Sequence, residues 1–382
     1  VSRQASIVGI GETALGSFPE RTAVELQGEA IVAALADAGL RRADVDGLFV
    51  LGPYSQPSIM FGLTVTEQLG IRPKVQATVD AGGTVSLITQ MVLATRAIEA
   101  GECEVVVCAF GENAATGRPV GAHGWTSNDP IEFEEPYGIV GTVVPYAMLT
   151  SAYMARFGTE PEDLGAIAIS ARTHATRRAN ALRRKPMSLD DYMGSRMIAE
   201  PLRLLDCSSI VDGAGALVLA RSDLAADLPH RQVSLLGAAS RATHRNVGQF
   251  PGFEELGLAQ LGRDALDQAG ATLDNVDVAL IHDAFTISTA IYLEGLGFCG
   301  PGEVGDYARE GNLDLGGRCP VNTHGGLLSQ GHVGGVLHFV EAVRQLRGDA
   351  EDSQVEGARL ALVAGGGGIL GVNGVAVLGG SE

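Results

Sequence analysis

Short, unbroken apolar runs alternate along this chain with longer stretches of helical period. ASIVGIG (5–11), VVVCAFG (105–111), AGALVLA (214–220), VSLLGAA (233–239) and LALVAGG (360–366) are apolar on both side-chain phases. A strand covered on one face would alternate, so these read as strands buried on both faces, the signature of helices packed on either side of a sheet. Between them, AALADAGLRRADVDGLFV (33–50) reads as an amphipathic helix stopped at Ala-Gly, a short Val-Asp loop and an apolar strand.

That unit occurs twice. Residues 264–281, DALDQAGATLDNVDVALI, repeat it, with Gly39 over Gly270, Val45 over Val276 and Asp46 over Asp277 at a constant offset of 231. Upstream, 5–11 matches 233–239. Downstream, a helix led by Gly82-Gly83-Thr84 matches one beginning near Gly325-Gly326-Leu327, and 105–111 matches 360–366. Asp212-Gly213 before AGALVLA answers Asn373-Gly374 before VAVLGG. A solenoid needs three or more short repeats. Two long ones predict fused α/β halves, 1–228 and 229–382, the first interrupted at about 115–205 by an insertion richer in Tyr, Met, Pro and charge, expected to form a separate lid.

Composition narrows the function classes. The 27 Lys+Arg against 45 Asp+Glu leave a net charge of −18, which disfavours a nucleic-acid surface. A single tryptophan, Trp125, and 5% aromatics argue against a stacking platform for single strands. The five cysteines, Cys103, Cys108, Cys207, Cys299 and Cys319, form no CxxC pair, so neither a disulfide framework nor a metal site is expected. With no basic, apolar leader and no apolar run of the roughly 18 residues a membrane span needs, a cytoplasmic protein is expected.

Four segments carry a resemblance: HDAFTISTAIYLEGLGFCGPGE (282–303), VNTHGGLLSQGHVGG (321–335), LRLLDCSSIVDGAGALVLA (202–220) and MARFGTEPEDLGAIAISARTHA (154–175). In their order along the chain they resemble the thiolase superfamily, most closely its SCP2-thiolase-like branch. The resemblance covers almost the whole chain and implies an α/β thiolase fold, a five-layer α/β/α/β/α sandwich of two pseudo-repeated halves. It also implies a homodimer or tetramer and acyl-coenzyme A chemistry between the halves, with coenzyme A entering as part of the substrate and no bound cofactor.

The family's acyl-carrying cysteine opens the central helix of the first half. Here that turn reads Thr78-Val79-Asp80-Ala81-Gly82-Gly83, and aligned on Gly83 the position holds Asp80, either a helix cap or a catalytic base. The second sulfur is missing as well: HDCF is His282-Asp283-Ala284-Phe285, and the C-terminal glycine run is Ala364-Gly365-Gly366-Gly367-Gly368. Cys108 and Cys207 fall on strands or their entry, where free cysteine acts as a small apolar residue. Glycines 365–368 lack the spacing of a dinucleotide loop. Gly83, Gly366 and Gly367 are expected to bring backbone close to the thioester.

What the resemblance retains is His282 and His332, at the positions that surround the oxygen of the enolate-forming thioester; two imidazole donors there serve any reaction passing through an acyl-CoA enolate. His324 and Asn322 share the second motif, with a turn role as the alternative. An enolate hole without sulfur implies retro-aldol cleavage of a 3-hydroxyacyl-CoA, with Asp80, His324 or a tyrosine of the insertion as base. The thiolase-like aldolases that shorten steroid side chains are such relatives. They act with a small DUF35 partner that joins a zinc ribbon to an OB-fold, although tyrosines take over there near the motifs where this sequence keeps His282 and His332. Two other readings stand beside this one: an acyltransferase with a displaced nucleophile, Thr84 or Ser86, and a non-catalytic acyl-CoA-binding subunit. For the coenzyme's phosphates the candidates are Arg172, Arg177, Arg178, Arg183, Arg184 and Lys185 in an acid-free stretch, with a solvated basic helix as the alternative. Trp125 and Tyr137 are expected to shape the lid over the acyl group.

Overall fold

A computed structural model describes residues 4–117, 132–225 and 228–380; Trp125 falls outside them. In the first half the strands are β1 (Ala5–Glu12), β2 (Gly47–Leu51), β3 (Val75–Thr78), β4 (Val105–Asn113) and β7 (Asp212–Arg221), in the spatial order β3-β2-β4-β7-β1. In the second half they are β8 (Val233–Ala242), β9 (Val278–Ile281), β10 (Leu360–Gly367) and β11 (Val372–Gly380), in the order β9-β10-β11-β8. The order repeats strand for strand. Even the edge strand β3 has a remnant, the single bridge from Val321 to Ala279 outside β9. The two sheets meet edge to edge through Ile7 and Val233.

Helices complete the layers. Between the sheets lie α3 (Gly83–Glu99) and α12 (Val336–Arg347), each touching strands of both halves. Outside the first sheet are α1 (Ala23–Asp37) and α2 (Phe61–Leu69); outside the second are α8 (Leu258–Ala269) and α9 (Thr286–Leu296). Three apolar clusters fill the gaps between the layers, the middle one joining Leu87, Ile88 and Met91 of α3 to Phe339 and Val343 of α12. The result is the five-layer thiolase fold. The repeat is close at the level of contacts: a Cβ on Gly9 would lie 2.2 Å from the Ala34 carbonyl oxygen, and one on the equivalent Gly237 would lie 2.1 Å from that of Ala265. In both halves the outer helix therefore rests directly on strand backbone.

Two expectations change. The described part of the insertion does not stand apart as a lid. Helices α4 (Val143–Phe157), α5 (Pro161–Thr176) and α6 (Leu189–Met193), with the hairpin β5 (Met197–Ala199) and β6 (Leu202–Arg203), put Tyr146, Tyr153, Leu164, Ile167, Tyr192 and Leu202 into one core with α8 and α9. Tyr, Met and apolar positions of that segment build the outer layer of the second half. The helix expected from Gly325-Gly326 is also broken. A single turn, α11 (Gly326–Ser329), stops at Gln330, and the long helix restarts at Val336. The intervening Gly331 and Gly334 have φ of +150° and +51°, both in the range that favours glycine. This break carries His332.

Candidate active site

A single strap ties the two histidine motifs together. Residues 207–210 run between them: Ser208 N–H donates to the Ala284 carbonyl at 2.9 Å, and His332 N–H donates to that of Ser209 at 2.8 Å. Strand β9 ends at Ile281, and His282 N–H then donates to the Ala364 carbonyl of β10 at 2.8 Å. The Asn322 amide locks this strand end from the side, accepting from Ile281 N–H and donating to Ile281 O, both at 2.8 Å. Asp283, next to His282, is fully buried and accepts Leu327 N–H at 2.7 Å and Leu328 N–H at 3.2 Å, satisfying the start of α11. The HDAF and GGLLSQGH motifs thus hold each other in place.

The two imidazoles lie 5.7 Å apart, centroid to centroid, at 72°. Thr84 Oγ1 is 2.7 Å from His282 Nδ1, and Ser208 Oγ is 3.2 Å from His332 Nδ1. Each hydroxyl can donate to its Nδ1, the arrangement that leaves the ring proton on Nε2, where it can serve a substrate oxygen. Burial, together with the neighbouring His332 and His338, pushes His282 well below the usual imidazole value. Burial lowers His332 to about 4 against the opposing pull of Asp283. Both rings are neutral near pH 7, so they are hydrogen-bond donors rather than cations.

The pair lines a cavity of about 190 Å³ with Gly83, Gly366 and Gly367. Leu51, Phe110, Val143, Ile210 and Phe285 make most of the wall apolar; Tyr54, Glu112, Tyr146, Cys207 and Ser208 supply polar groups. The wall is thin at the glycines, because α3 begins directly against the β10–β11 turn. A Cβ on Gly83 would meet Gly366 O at 2.2 Å, and one on Gly367 would meet Gly82 C at 2.2 Å. On the far side of that turn lies a second cavity, about 250 Å³, lined by Asp80, Glu134, Glu135, His244 and Arg245 and by Gly367 and Gly368.

Comparison with known proteins agrees with this geometry. Residues 239–380 match the family model "Thiolase C-terminal domain-like". The 17-hydroxy-3-oxo-4-pregnene-20-carboxyl-CoA lyase of Mycobacterium tuberculosis is 35% identical over 97% of this chain and 98% of its own. The steroid side-chain-cleaving aldolase of Thermomonospora curvata is 34% identical over 94% and 95%. The chain belongs to the thiolase superfamily, in its SCP2-thiolase-like aldolase branch. Among solved structures, one described as the Ltp2-ChsH2(DUF35) aldolase superposes with a TM-score of 0.88 at 34% identity, covering 99% of this chain and 98% of that one.

Within this thiolase scaffold several expected site residues lie elsewhere. Asp80 is neither the cap of α3 nor in the histidine cavity. Gly82 holds the cap position, and the Asp80 carboxylate accepts Gly82 N–H at 3.1 Å while lining the second cavity. His324 is not part of the histidine cavity's lining. It is buried against His338, with ring centroids 5.0 Å apart, and neither ring nitrogen has a hydrogen-bond partner among the described residues. Asn322 is a clamp on β9, as its two bonds to Ile281 show.

The basic stretch divides by burial. Arg178 is buried and ion-paired to Glu12 at 2.9 Å, and buried Arg172 donates to Ser329 Oγ at 2.9 Å. Arg183 donates to Ser209 Oγ at 2.7 Å behind the strap. These three brace the fold, whereas Arg177, Arg184 and Lys185 are exposed, and none of the six lines either cavity. Tyr137 is exposed and absent from the histidine cavity's lining.

Tyr54, Glu112, Tyr146, Ser208 and Cys207 were not singled out as site residues, because they reach the cavity from segments far apart in sequence. Cys207 is the one with a sequence signal, next to Asp206 in the DCSS run. Burial and the Asp206 charge push its thiol up to about 12, and Sγ–H donates to Arg203 O at 3.4 Å. It stands on the strap, and the Arg183 charge, which pulls the other way, does not outweigh burial and Asp206, so the thiol stays far from a thiolate. The alternative nucleophiles are closed off too: Thr84 and Ser86 are fully buried and outside the cavity lining, the first engaged with His282 and the second accepting Ala81 N–H at 2.9 Å.

Proposed function

We propose that this enzyme is a carbon–carbon lyase that cleaves a 3-hydroxyacyl-CoA by retro-aldol reaction. The carrying observation is the pair of neutral, hydroxyl-anchored imidazoles in a cavity whose helix-opening turn bears no sulfur. The hydroxyl O–H pair becomes the new C=O bond, the Cα–Cβ pair moves to Cα, and the thioester oxygen takes the enolate charge between His282 and His332. Protonation at Cα from solvent releases the shortened acyl-CoA and a carbonyl compound. Preorganised donors of this type are worth about 3 kcal/mol each when the charge develops.

The apolar wall suits a bulky hydrocarbon, and the steroid substrates in the names of the two relatives are the leading candidates for the acyl group. The outer cavity beyond the glycine wall includes His244 and Arg245 in its lining, which supports these rather than the 172–185 stretch as candidates for the phosphates of coenzyme A. The reaction calls for no bound cofactor beyond the coenzyme carried by the substrate. A homodimer is supported by β3, which forms one edge of its sheet, and by the exposed apolar residues Ile59, Met60 and Leu63 in the segment leading into α2 and within it. The likeness to the Ltp2-ChsH2(DUF35) aldolase supports a DUF35 partner. No described helix is long and apolar enough to cross a membrane, and the five free thiols suit a reducing cytoplasm.

The test is to incubate the protein, alone and with a small zinc-ribbon/OB-fold partner, with a 3-hydroxyacyl-CoA, and separately with a 3-ketoacyl-CoA plus free CoA. Free carbonyl product from the hydroxy compound supports the lyase. Thiolysis of the keto compound without such cleavage would replace it with an acyltransferase, and no turnover of either would leave a binding subunit.

A further inference from the structure

Retro-aldol cleavage needs a base for the substrate hydroxyl, and neither histidine is suited to it, since each Nδ1 is engaged by a hydroxyl and each Nε2 is assigned to the enolate oxygen. Of the other polar groups in the cavity, Glu112 accepts Tyr54 N–H at 2.7 Å, Ser55 N–H at 3.2 Å, Asn113 N–H at 3.1 Å and the Ser55 hydroxyl. Its carboxylate is occupied by its own strand and the loop above it. Tyr146 stacks on Phe285 at 4.5 Å and donates to the Gly368 carbonyl at 3.4 Å, an acceptor that cannot take the proton away.

Tyr54 differs. Its ring packs at 6.1 Å from Phe110, and its hydroxyl lies at the start of α3, where Gly83 N–H donates to it. It donates in turn to Asp80 Oδ1 at 3.3 Å. Tyr54 lines the histidine cavity, whereas Asp80 is exposed and lines the outer one. The hydrogen bond between them therefore passes through the glycine wall at the point where no Cβ fits. Burial and the negative charges of Asp80 and Glu112 push the phenol above its ordinary value, so Tyr54 rests protonated and conducts rather than stores charge.

We propose that Tyr54 and Asp80 form a proton relay that deprotonates the substrate hydroxyl, Tyr54 as the catalytic residue in contact with substrate and Asp80 as the terminal acceptor. The substrate proton moves to Tyr54 Oη as the phenol's own proton moves to Asp80 Oδ1. The carboxylic acid so formed gives that proton to water in the outer cavity, among Glu134, Glu135, His244 and Arg245. One O–H bond breaks and one forms at Tyr54, so the phenol is unchanged after each turnover and no redox partner is needed. This inference rests on the lyase reading.

The experiment compares Tyr54→Phe, Asp80→Asn and the double variant with wild type in the full-length protein, with its partner if the activity requires one, measuring carbonyl product from a 3-hydroxyacyl-CoA between pH 6 and 9. Each single variant is expected to lose a factor on the order of 10² in kcat with KM within about twofold. The double variant loses no more than the singles, and the residual rate climbs about tenfold per pH unit as hydroxide replaces the relay. A purely structural role for Tyr54 would not produce that hydroxide dependence. Wild-type kcat in Tyr54→Phe, or losses that multiply in the double variant, would overturn the relay while leaving the lyase intact. A wild-type protein that yields no carbonyl product removes the lyase reading itself. Should Tyr54→Phe fail to fold, exposed Asp80→Asn carries the same kcat and pH comparison.

Discussion

The Thr84 hydroxyl offers a sharp handle on the enolate hole, because it acts on the reaction only through His282. Thr84→Val keeps the side-chain shape and removes one hydrogen bond, the 2.7 Å contact to His282 Nδ1. Thr84 is fully buried and His282 is 7% exposed, so water does not readily replace the lost donor. An unsatisfied buried polar atom costs about 1–3 kcal/mol. The imidazole can recover part of that by moving its proton to Nδ1, which turns Nε2 from a donor into an acceptor facing the enolate oxygen. If the donor tautomer is disfavoured by 1.4–2.8 kcal/mol, within that range, kcat falls by about 10- to 100-fold. The assay is carbonyl release from a saturating 3-hydroxyacyl-CoA, with KM as a control for binding. Thr84→Ser, which restores the hydroxyl, should recover most of the rate. A Thr84→Val enzyme with wild-type kcat, or a loss that Thr84→Ser shares, would refute tautomer control by this residue.

Three further outcomes follow from the same geometry. His332→Ala should lower kcat by about 10² or more through loss of one enolate donor, read in the same assay. Gly367→Ala puts a Cβ 2.2 Å from Gly82 C; pushing α3 off the turn should cost about 1–3 kcal/mol in urea unfolding and disrupt the cavity wall. His324 is buried with its pKa held well below the ordinary imidazole value by burial and the neighbouring His338, Arg178 and Arg344. The unfolded chain therefore binds a proton below about pH 6.5 that the folded one refuses, and this contribution to stability falls as pH drops. On going from pH 7 to pH 5, His324→Gln should lose about 2 kcal/mol less than wild type by urea titration; parallel losses would contradict it.

The repeat made most of the fold legible, because buried strands and glycine-stopped helices leave local signatures that recur in the same succession in both halves. Gly9 and Gly237 show why: the same helix-on-backbone contact demands the same residue in both halves. His282 and His332 were legible through their motifs. Tyr54 and Ser208 were not, since a hydroxyl facing a cavity has no local pattern, and its partner lies 26 residues away in one case and 124 in the other. The basic stretch misled for a related reason. A run of arginines reads as a surface for phosphate, yet Glu12 and Glu341, remote in sequence, draw Arg178 inside. Asp80 was read in the right turn, but its side-chain direction depends on Tyr54, which lies on another loop.

The central claim is that carbon–carbon cleavage proceeds through an enolate that is never attached to the protein. The most direct test is a single turnover of a 3-hydroxyacyl-CoA on wild type and on Cys207→Ala, quenched on the millisecond-to-second scale and read by intact mass beside product analysis. The account predicts carbonyl and shortened acyl-CoA in equal amounts, an unchanged protein mass at every time point, and cleavage by the alanine variant. A transient mass increase of one acyl group that disappears with Cys207 would contradict it.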